Sequence, residues 1–222
     1  MERNAYMKKY RSAYQGGEGE IVEKKSRFIA TVQPVESEEE ALAFVASMKK
    51  KYWNATHNCS AFVVGEHMEL QRCSDDGEPS GTAGKPMLEV LTGQEIHNVV
   101  AVVTRYFGGT LLGTGGLIRA YTKSTQEGIQ NSVVIEKCLG QKISLTCDYT
   151  TSGKIQYLTA TDHIPVLDTV YTDNVTFEMI IPIEDVGMME KKFMEASMGK
   201  AVLEKGEESY YAEINERIMV DL

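Results

Sequence analysis

Residues 98–121 read NVVAVVTRYFGGTLLGTGGLIRAY and decide the fold of the first half of the chain. The stretch opens with an apolar, mostly β-branched run from Val99 to Val103, which is typical of a strand buried on both faces. Apolar residues later recur at helical spacing, with Arg119 and Lys123 four residues apart on the other face. Between strand and helix lie five glycines, at positions Gly108, Gly109, Gly113, Gly115 and Gly116. The stretch therefore predicts a strand, a glycine-rich loop and a helix whose N-terminal N–H groups favour anions.

The common phosphate-binding motifs fit this region poorly. A dinucleotide fingerprint that starts at Gly113 needs glycine where the chain has Ile118. A Walker loop ending at Gly84-Lys85 needs glycine at Pro79 and serine or threonine at Pro86. Tight turns and close backbone packing are therefore the favoured interpretation of the glycines. A small-molecule or phosphate-binding enzyme that uses the loop at residues 108–116 is the alternative.

Several long motifs resemble the signature of the IMPACT/YigZ family. They are KSRFI at 25–29, HNCSAF at 57–62, SDDGEPSGTAG at 74–84, RYFGG at 105–109 and LLGTGGL at 111–117. The family-motif loop positions are the five glycines already named together with Asp75, Asp76, Gly77, Glu78 and Pro79. These motifs lie within residues 15–135, and the remainder is similar to the second domain of bacterial members through weaker motifs.

The resemblance implies an α/β (α+β) protein with two domains, at residues 1–136 and 137–222. The first would be similar to domain IV of elongation factor G, with a left-handed βαβ crossover. The second would be similar to the ferredoxin-like fifth domain of that factor, with the order βαββαβ. The family also implies a non-enzymatic regulatory role in the cytoplasm, near translation, through binding of RNA, the ribosome or a translation-associated protein, with no cofactor.

The charge of the chain is distributed unevenly. The 222 residues carry a formal net charge of −9, which alone argues against a nucleic-acid partner. Residues 1–135, however, hold 15 basic and 16 acidic side chains, whereas residues 136–222 hold 8 and 16. The acidity therefore belongs to the C-terminal part, and the N-terminal part can carry a local basic face.

The chain shows no sign of a membrane or secreted protein. No apolar run approaches the length of a membrane span, and the polar first residues lack the apolar core of a signal peptide. Four cysteines, Cys59, Cys73, Cys138 and Cys147, form no CxxC pair and indicate reduced cytosolic thiols.

Hydrophobic periodicity predicts the other elements. Residues 1–14 are expected to form a mobile lead-in or a short helix. In the N-terminal half we expect a strand or hairpin edge over 20–35, a helix over 37–51 begun by a Ser37/Glu40 capping box, strands over 58–64 and 69–74, and a short helix over 85–92. In the C-terminal half we expect a strand over 142–148, a helix from Thr150 or Thr151 to near 162, strands over 164–171 and 175–182, a helix over 184–197, and a strand region over 201–214.

Two groups of residues are candidates for chemical sites. His57 and Cys59, with Cys73 and the Asp75-Asp76 pair, are the best metal candidates, but a second pair at recognisable ligand spacing is missing, so packing is the favoured interpretation. The carboxylates of Asp75, Asp76 and Glu78 could serve acid–base chemistry or Mg²⁺ binding. A turn in which aspartates bond nearby backbone N–H groups explains the same residues more simply. The sequence therefore predicts neither catalytic nor metal-binding residues, and an enzyme is the less favoured class.

Four cations remain as candidates for nucleic-acid binding: Lys85, Arg105, Arg119 and Lys123. Strand, loop and helix of one unit could bring several of them to one face, with nearby aromatic rings for stacking. The alternative is a solvated face above an aromatic core.

Overall fold

The structure is a computed structural model that describes residues 7–222. Its internal contacts divide the chain into two units. One holds residues 10–135, and the other holds residues 136–222 together with residues 7–9 of the described chain. The dividing point lies inside a strand, so the domain boundary that we place after residue 136 stays a prediction.

The N-terminal unit contains all or most of seven strands and three helices. In chain order they are β1 (Lys9–Gln15), β2 (Gly17–Glu23), β3 (Ser26–Pro34), α1 (Glu38–Lys51), β4 (His57–Val64), β5 (Leu70–Ser74), α2 (Gly84–Gly93), β6 (Ile96–His97), β7 (Val99–Tyr106) and α3 (Thr114–Gln130). Five of the strands form an antiparallel sheet in the order β2-β3-β7-β4-β5. Since β3 and β4 both run antiparallel to β7, they are parallel to each other and are joined through α1 as a βαβ crossover. The handedness of this crossover stays a prediction.

Strand β7 is the centre of that sheet, and it is buried on both faces as predicted. Val99, Ala101 and Val103 pack into the core beneath α2 and α3. Val100 points to the opposite face and packs in a smaller cluster with residues of α1. Because both faces are covered, the strand needs a continuous apolar run, which the sequence supplies.

The prediction for residues 1–14 was wrong where the structure describes them. Residues 1–6 lie outside the described residues, but Lys9–Gln15 forms β1, which pairs in parallel with β6 at Arg11 and Ile96. Tyr10 and Ser12 are buried while Lys9 and Arg11 are exposed. This is the period-two alternation of a strand, which the charged residues Lys9 and Arg11 made hard to recognise in the sequence.

Helix α1 begins at the predicted capping box. The Ser37 hydroxyl oxygen accepts a hydrogen bond from the Glu40 backbone N–H at 3.2 Å. The Glu40 carboxylate in turn accepts a hydrogen bond from the backbone N–H of Glu36, at 2.9 Å. The predicted helix over 85–92 also exists, as α2, and its buried residues include Met87 and Leu91.

The C-terminal unit has the predicted βαββαβ order. Its elements are β8 (Val133–Cys147), α4 (Tyr149–Thr161), β9 (Val166–Tyr171), β10 (Val175–Pro182), α5 (Val186–Ala196), β11 (Val202–Ile214) and β12 (Arg217–Val220). The pairings give the antiparallel order β9-β10-β8-β11-β12, a ferredoxin-like sheet with an added edge strand. The register of β11 shifts between Lys205 and Glu208, at the predicted interruption by Gly206. Strand β12 was not predicted.

In the described part of the chain, no helix is both long and apolar enough to cross a bilayer.

Candidate functional site

The loop between β5 and α2 is organised by the carboxylate of Asp75. One oxygen accepts hydrogen bonds from the backbone N–H groups of Ala83 and Gly84 at 3.0 and 2.8 Å, and the other accepts from Gly81 at 2.8 Å. Asp75 therefore caps the start of α2, whose own N-cap residue Ala83 has no side chain that could do so. Burial alone would raise the pKa of Asp75, but the three N–H donors together hold that pKa below its usual value.

Asp76 connects the same loop to the sheet and to α1 through hydrogen bonds. Its carboxylate accepts the backbone N–H of Asn58 at 2.7 Å and the ammonium of Lys49 at 2.5 Å. Asp76 and Gly77 both have positive φ, at 45° and 88°, so the chain turns sharply here. The interpretation of Asp75 and Asp76 as turn residues therefore agrees with their contacts.

Glu78 is placed differently, in the interior of the unit. Its Oε1 atom accepts hydrogen bonds from Arg105 Nη1 at 2.6 Å and from the Tyr121 hydroxyl at 2.8 Å. The side chains of Glu78 and Arg105 are only 3% and 6% exposed. The Cys59 sulfur lies 3.3 Å from the same hydroxyl oxygen and 3.0 Å from the carbonyl oxygen of Asp75. The four side chains form one buried polar cluster between β4, β7, α3 and the 75–84 loop.

The environment of the cluster keeps its thiol and phenol protonated. Burial, with the neighbouring carboxylates adding to it, raises the pKa of Cys59 to about 12. Burial likewise raises the pKa of Tyr121 above its usual value. A protonated thiol is a poor nucleophile and a poor metal ligand, so Cys59 acts here as a small buried group.

Arg105 is held by stacking as well as by charge. Its guanidinium carbon lies 5.3 Å from the ring centre of Phe28 and 5.6 Å from that of Phe107. Its Nη2 atom lies 3.4 Å from the hydroxyl of Ser26. Its Nε atom, however, is buried without a hydrogen-bond partner among the residues that the structure describes.

The glycine-rich loop is fixed against the hairpin between β2 and β3. A Cβ atom on Gly108 would lie 2.1 Å from the carbonyl carbon of Lys25, so only glycine fits there. The Gly108 N–H also donates to the Ser26 hydroxyl at 3.1 Å. Gly109 and Gly113 have positive φ, at 83° and 73°. Gly108, Gly109 and Gly113 therefore each have a structural reason to be glycine, in agreement with the interpretation of tight turns and close backbone packing.

A cavity of about 440 Å³ opens beside this loop. Its polar wall consists of His57, Glu78, Arg105 and the threonines Thr56 and Thr114, and its apolar wall of Pro79, Phe107, Leu111, Leu112 and Leu117, with Gly77 and Gly113 between them. His57 Nδ1 is 2.8 Å from the carbonyl oxygen of Asp76, which can only accept, so Nδ1 carries a proton. Its Nε2 atom is 3.9 Å from Glu78 Oε2. The volume is in the range of small-molecule sites.

Helix α3 begins at the rim of this cavity. Gly113 is its N-cap residue and has no side chain to cap the helix. The first hydrogen bond of the helix runs from the Leu117 N–H to the Gly113 carbonyl, at 3.0 Å. The N–H groups of Thr114, Gly115 and Gly116 therefore lack partners among the described residues and carry the positive end of the helix dipole.

The four predicted cations occupy different environments. Arg119 and Lys123 are exposed on α3, and neither forms an ion pair with a described carboxylate. Lys85 is exposed near the start of α2, 3.9 Å from the carboxylate of Glu89. Arg105 does not join them on the surface, because it lies between Phe28 on β3 and His57 on β4 and points into the buried cluster.

The metal candidates are not assembled into a site. In the described part of the chain, no three His, Cys, Asp or Glu side chains converge as metal ligands. Cys59 is buried against Tyr121, whereas Cys73 is exposed on β5.

Sequence reasoning missed the buried cluster and the cavity. The available signal was that Glu78 and Arg105 both belong to long motifs in a region otherwise explained by turns. The sequence separation of 27 positions gives no indication that these two residues meet in the interior. The Lys24-Lys25 turn was also missed: both residues have positive φ, which is unusual for lysine, and both are exposed beside the glycine-rich loop.

The fold and the sequence motifs define the class of this protein, a two-domain α/β protein. A profile of the Impact N-terminal domain matches residues 24–129, and one described as a domain of unknown function matches residues 145–200. The chain is 44% identical over 201 residues to the IMPACT family member YvyE of Bacillus subtilis, covering 90% of this chain and 93% of that one. It is 36% identical over 182 residues to the IMPACT family member YigZ of Escherichia coli, covering 81% and 89%.

A crystal structure titled only as a hypothetical protein is 33% identical and superimposes with a TM-score of 0.58, covering 89% of this chain and 97% of that one. The chain belongs to the IMPACT family, as its motifs predicted.

Proposed function

We propose that this protein is a non-enzymatic, translation-associated regulatory protein whose N-terminal unit binds RNA, directly or on the ribosome. Membership of the IMPACT family supports the association with translation through the family resemblance described above. The role implies a cytoplasmic location and needs no cofactor. A translation-associated protein partner is the competing occupant of the same surface.

The observation that carries the proposal is the exposed pair Arg119 and Lys123 on α3. Neither cation is neutralised by a described carboxylate, and they share a helix face because they are four residues apart. The same helix begins with free N–H groups at the rim of the cavity, which also favour phosphate. Phosphate groups that follow the helix would meet positive charge along its first three turns.

Two neighbouring elements carry further cations. Lys85 precedes Pro86, which lines a shallow groove between α2 and α3. The exposed Lys24-Lys25 turn flanks the loop on the other side through the contact between Lys25 and Gly108. Arg105 contributes by holding Phe107 and the cavity wall in place.

The experiment is an RNA and ribosome binding titration at several salt concentrations. If the contacts are to phosphates, log affinity should fall linearly with log salt, with a slope of about −0.7 to −0.9 for each contact. Arg119→Glu with Lys123→Glu should weaken binding and flatten the slope. Lys154→Glu with Lys191→Glu is the control, because it makes the same charge change on exposed helical sites of the other unit.

Three outcomes would contradict the proposal. Binding that does not depend on salt, or equal losses in the two double variants, would show that α3 is not the contact surface. A partner retained after nuclease treatment but lost in the α3 variant would instead assign the surface to a protein.

The cavity beside the loop at residues 108–116 favours a second candidate, a small-molecule or phosphate-binding enzyme. His57 presents Nε2 towards Glu78 in that cavity and could accept a proton. Turnover of nucleotides or phosphate esters that disappears in His57→Ala would support this candidate. Absence of turnover with intact RNA binding would support the first.

A further inference from the structure

We propose that the cavity at the start of α3 binds a phosphate monoester attached to a flat ring, the chemistry of a nucleotide. The ligand has two possible sources, a free mononucleotide or the phosphorylated end of an RNA chain. Only the RNA source rests on the proposed function. The cavity proposal itself rests on the geometry of the residues around the cavity.

The phosphate position is defined by the uncapped start of α3. Thr114 lines the cavity, and its N–H and those of Gly115 and Gly116 have no partner in the described chain. A Cβ atom on Gly115 would approach only Arg119, whose Nη1 lies 3.5 Å away. The guanidinium therefore lies over the same helical turn and adds a full charge to the partial charge of the helix end.

A second and independent observation is the unpartnered donor on the cavity wall. Arg105 lines the cavity, its side chain is 6% exposed, and its Nε is buried without a partner in the part of the chain that the structure describes. Its Nη1 and Nη2 atoms are already bound to Glu78 and Ser26. A buried donor left unsatisfied is unfavourable, and a small shift of the Arg105 side chain that brings Nε to a ligand oxygen at this wall would remove that cost.

The carboxylate of Glu78 does not exclude an anion. Its charge is balanced by Arg105, and the Tyr121 hydroxyl donates to the same oxygen. His57 Nε2 lies 3.9 Å from the remaining oxygen, and both residues line the cavity. The positive charge that this pair does not balance therefore comes from the helix end, with Arg119 over its first turn.

The rest of the wall indicates what the phosphate is attached to. Phe107 is 46% exposed and lines the cavity, and Leu111 is 83% exposed beside it. An inorganic anion would leave this apolar surface uncovered, whereas a ring stacked on Phe107 would cover it. Thr56 and Thr114 offer hydroxyl groups for the polar edge of the ring.

The test compares four probes on the full chain: adenosine 5′-monophosphate, uridine 5′-monophosphate, adenosine and inorganic phosphate. Calorimetric titration should give the two nucleotides an affinity at least about tenfold above that of phosphate or adenosine alone, since each part adds contacts. Equal affinity for phosphate and nucleotide, or no binding of either nucleotide at millimolar concentration, would overturn the proposal.

Two variants locate the ligand without disturbing the fold. Gly115→Asp places a carboxylate in the first turn of α3, where it suits the helix dipole but repels phosphate, so nucleotide binding should be lost while thermal stability is kept. Gly153→Asp in α4, where a new Cβ atom meets nothing within 4 Å, is the matched control and should bind normally. Phe107→Ala should weaken nucleotide binding about tenfold and leave phosphate binding unchanged.

RNA oligonucleotides with and without a 5′-phosphate separate this proposal from the proposed function. A preference for the phosphorylated end that disappears in Gly115→Asp would support both. RNA binding that ignores the end, together with no mononucleotide binding, would overturn the cavity proposal and leave the RNA surface standing. Mononucleotide binding without RNA binding would support the cavity and contradict the proposed function.

Discussion

Arg105 and Glu78 form an ion pair in the interior of the N-terminal unit, with Nη1 donating to Oε1 at 2.6 Å and both side chains almost fully buried. The pair joins the C-terminal end of the central strand β7 to the loop before α2. Tyr121 adds a bond from α3 to the same carboxylate oxygen. Strand β7, helix α3 and the loop before α2, which all contribute to the cavity wall, are therefore joined through the Glu78 carboxylate.

Removal of Glu78 should destabilise the N-terminal unit strongly. Glu78→Ala leaves the Arg105 charge buried without compensation, and we expect a loss of about 3–5 kcal/mol in the free energy of unfolding. Urea denaturation followed by a signal from this unit measures the change. The control is Glu20→Ala, which breaks the exposed pair of Glu20 with Arg27 at 2.7 Å and should cost about 1 kcal/mol or less. Similar losses in the two variants would contradict the assigned role of the buried pair.

Gly108 should not tolerate any side chain. Gly108→Ala places a Cβ atom 2.1 Å from the Lys25 carbonyl carbon, so the loop or the β2–β3 hairpin must move. We expect a loss of about 1–3 kcal/mol, measured as a lowered midpoint of thermal or urea unfolding. Gly153→Ala in α4 has open space around the new atom and should be neutral or slightly stabilising. A Gly108→Ala protein as stable as the control would show that the loop does not pack as described.

The contribution of the loop before α2 to the stability of the protein should decrease in acid. Because the pKa of Asp75 is lower in the folded chain than in the unfolded one, its contribution is present above the unfolded value of about 3.9. It is lost as pH falls below that value and through the lower folded pKa. The stability difference between the wild type and Asp75→Asn should therefore be largest near neutral pH and shrink towards pH 2. A difference for Asp75→Asn that does not change with pH would contradict the assignment.

The sequence was informative wherever one local rule was enough. The β-branched run of β7, the Ser37 cap and the alternation of apolar residues in the ferredoxin-like unit each depend on neighbours in the chain, so their elements were predicted. The turn interpretation of Asp75 and Asp76 was accessible for the same reason, since their partners lie within the loop or on the adjacent strand.

The site was less predictable because its contacts depend on strand register and helix placement. Arg105 looks like a surface cation at the end of a strand, yet β7 places it between Phe28 and His57. Its partner Glu78 follows two aspartates that are turn residues, so composition suggests the same role for all three. Only the assembled sheet, with α3 packed across it, shows that the arginine and the glutamate meet.

The cysteines should differ sharply in reactivity because of their burial. Cys73 is exposed on β5, whereas Cys59 is buried and its pKa is raised to about 12. The thiolate is the reactive form, so at pH 8 alkylation should modify Cys73 quickly and leave Cys59 intact. Mass spectrometry of peptides after timed labelling measures both sites in one sample. In urea above the unfolding midpoint the two rates should converge, since burial then no longer protects Cys59. Rapid labelling of Cys59 in the folded Cys73→Ser variant would show that the cluster around Tyr121 and Glu78 opens to solvent, and would return Cys59 to consideration as a nucleophile.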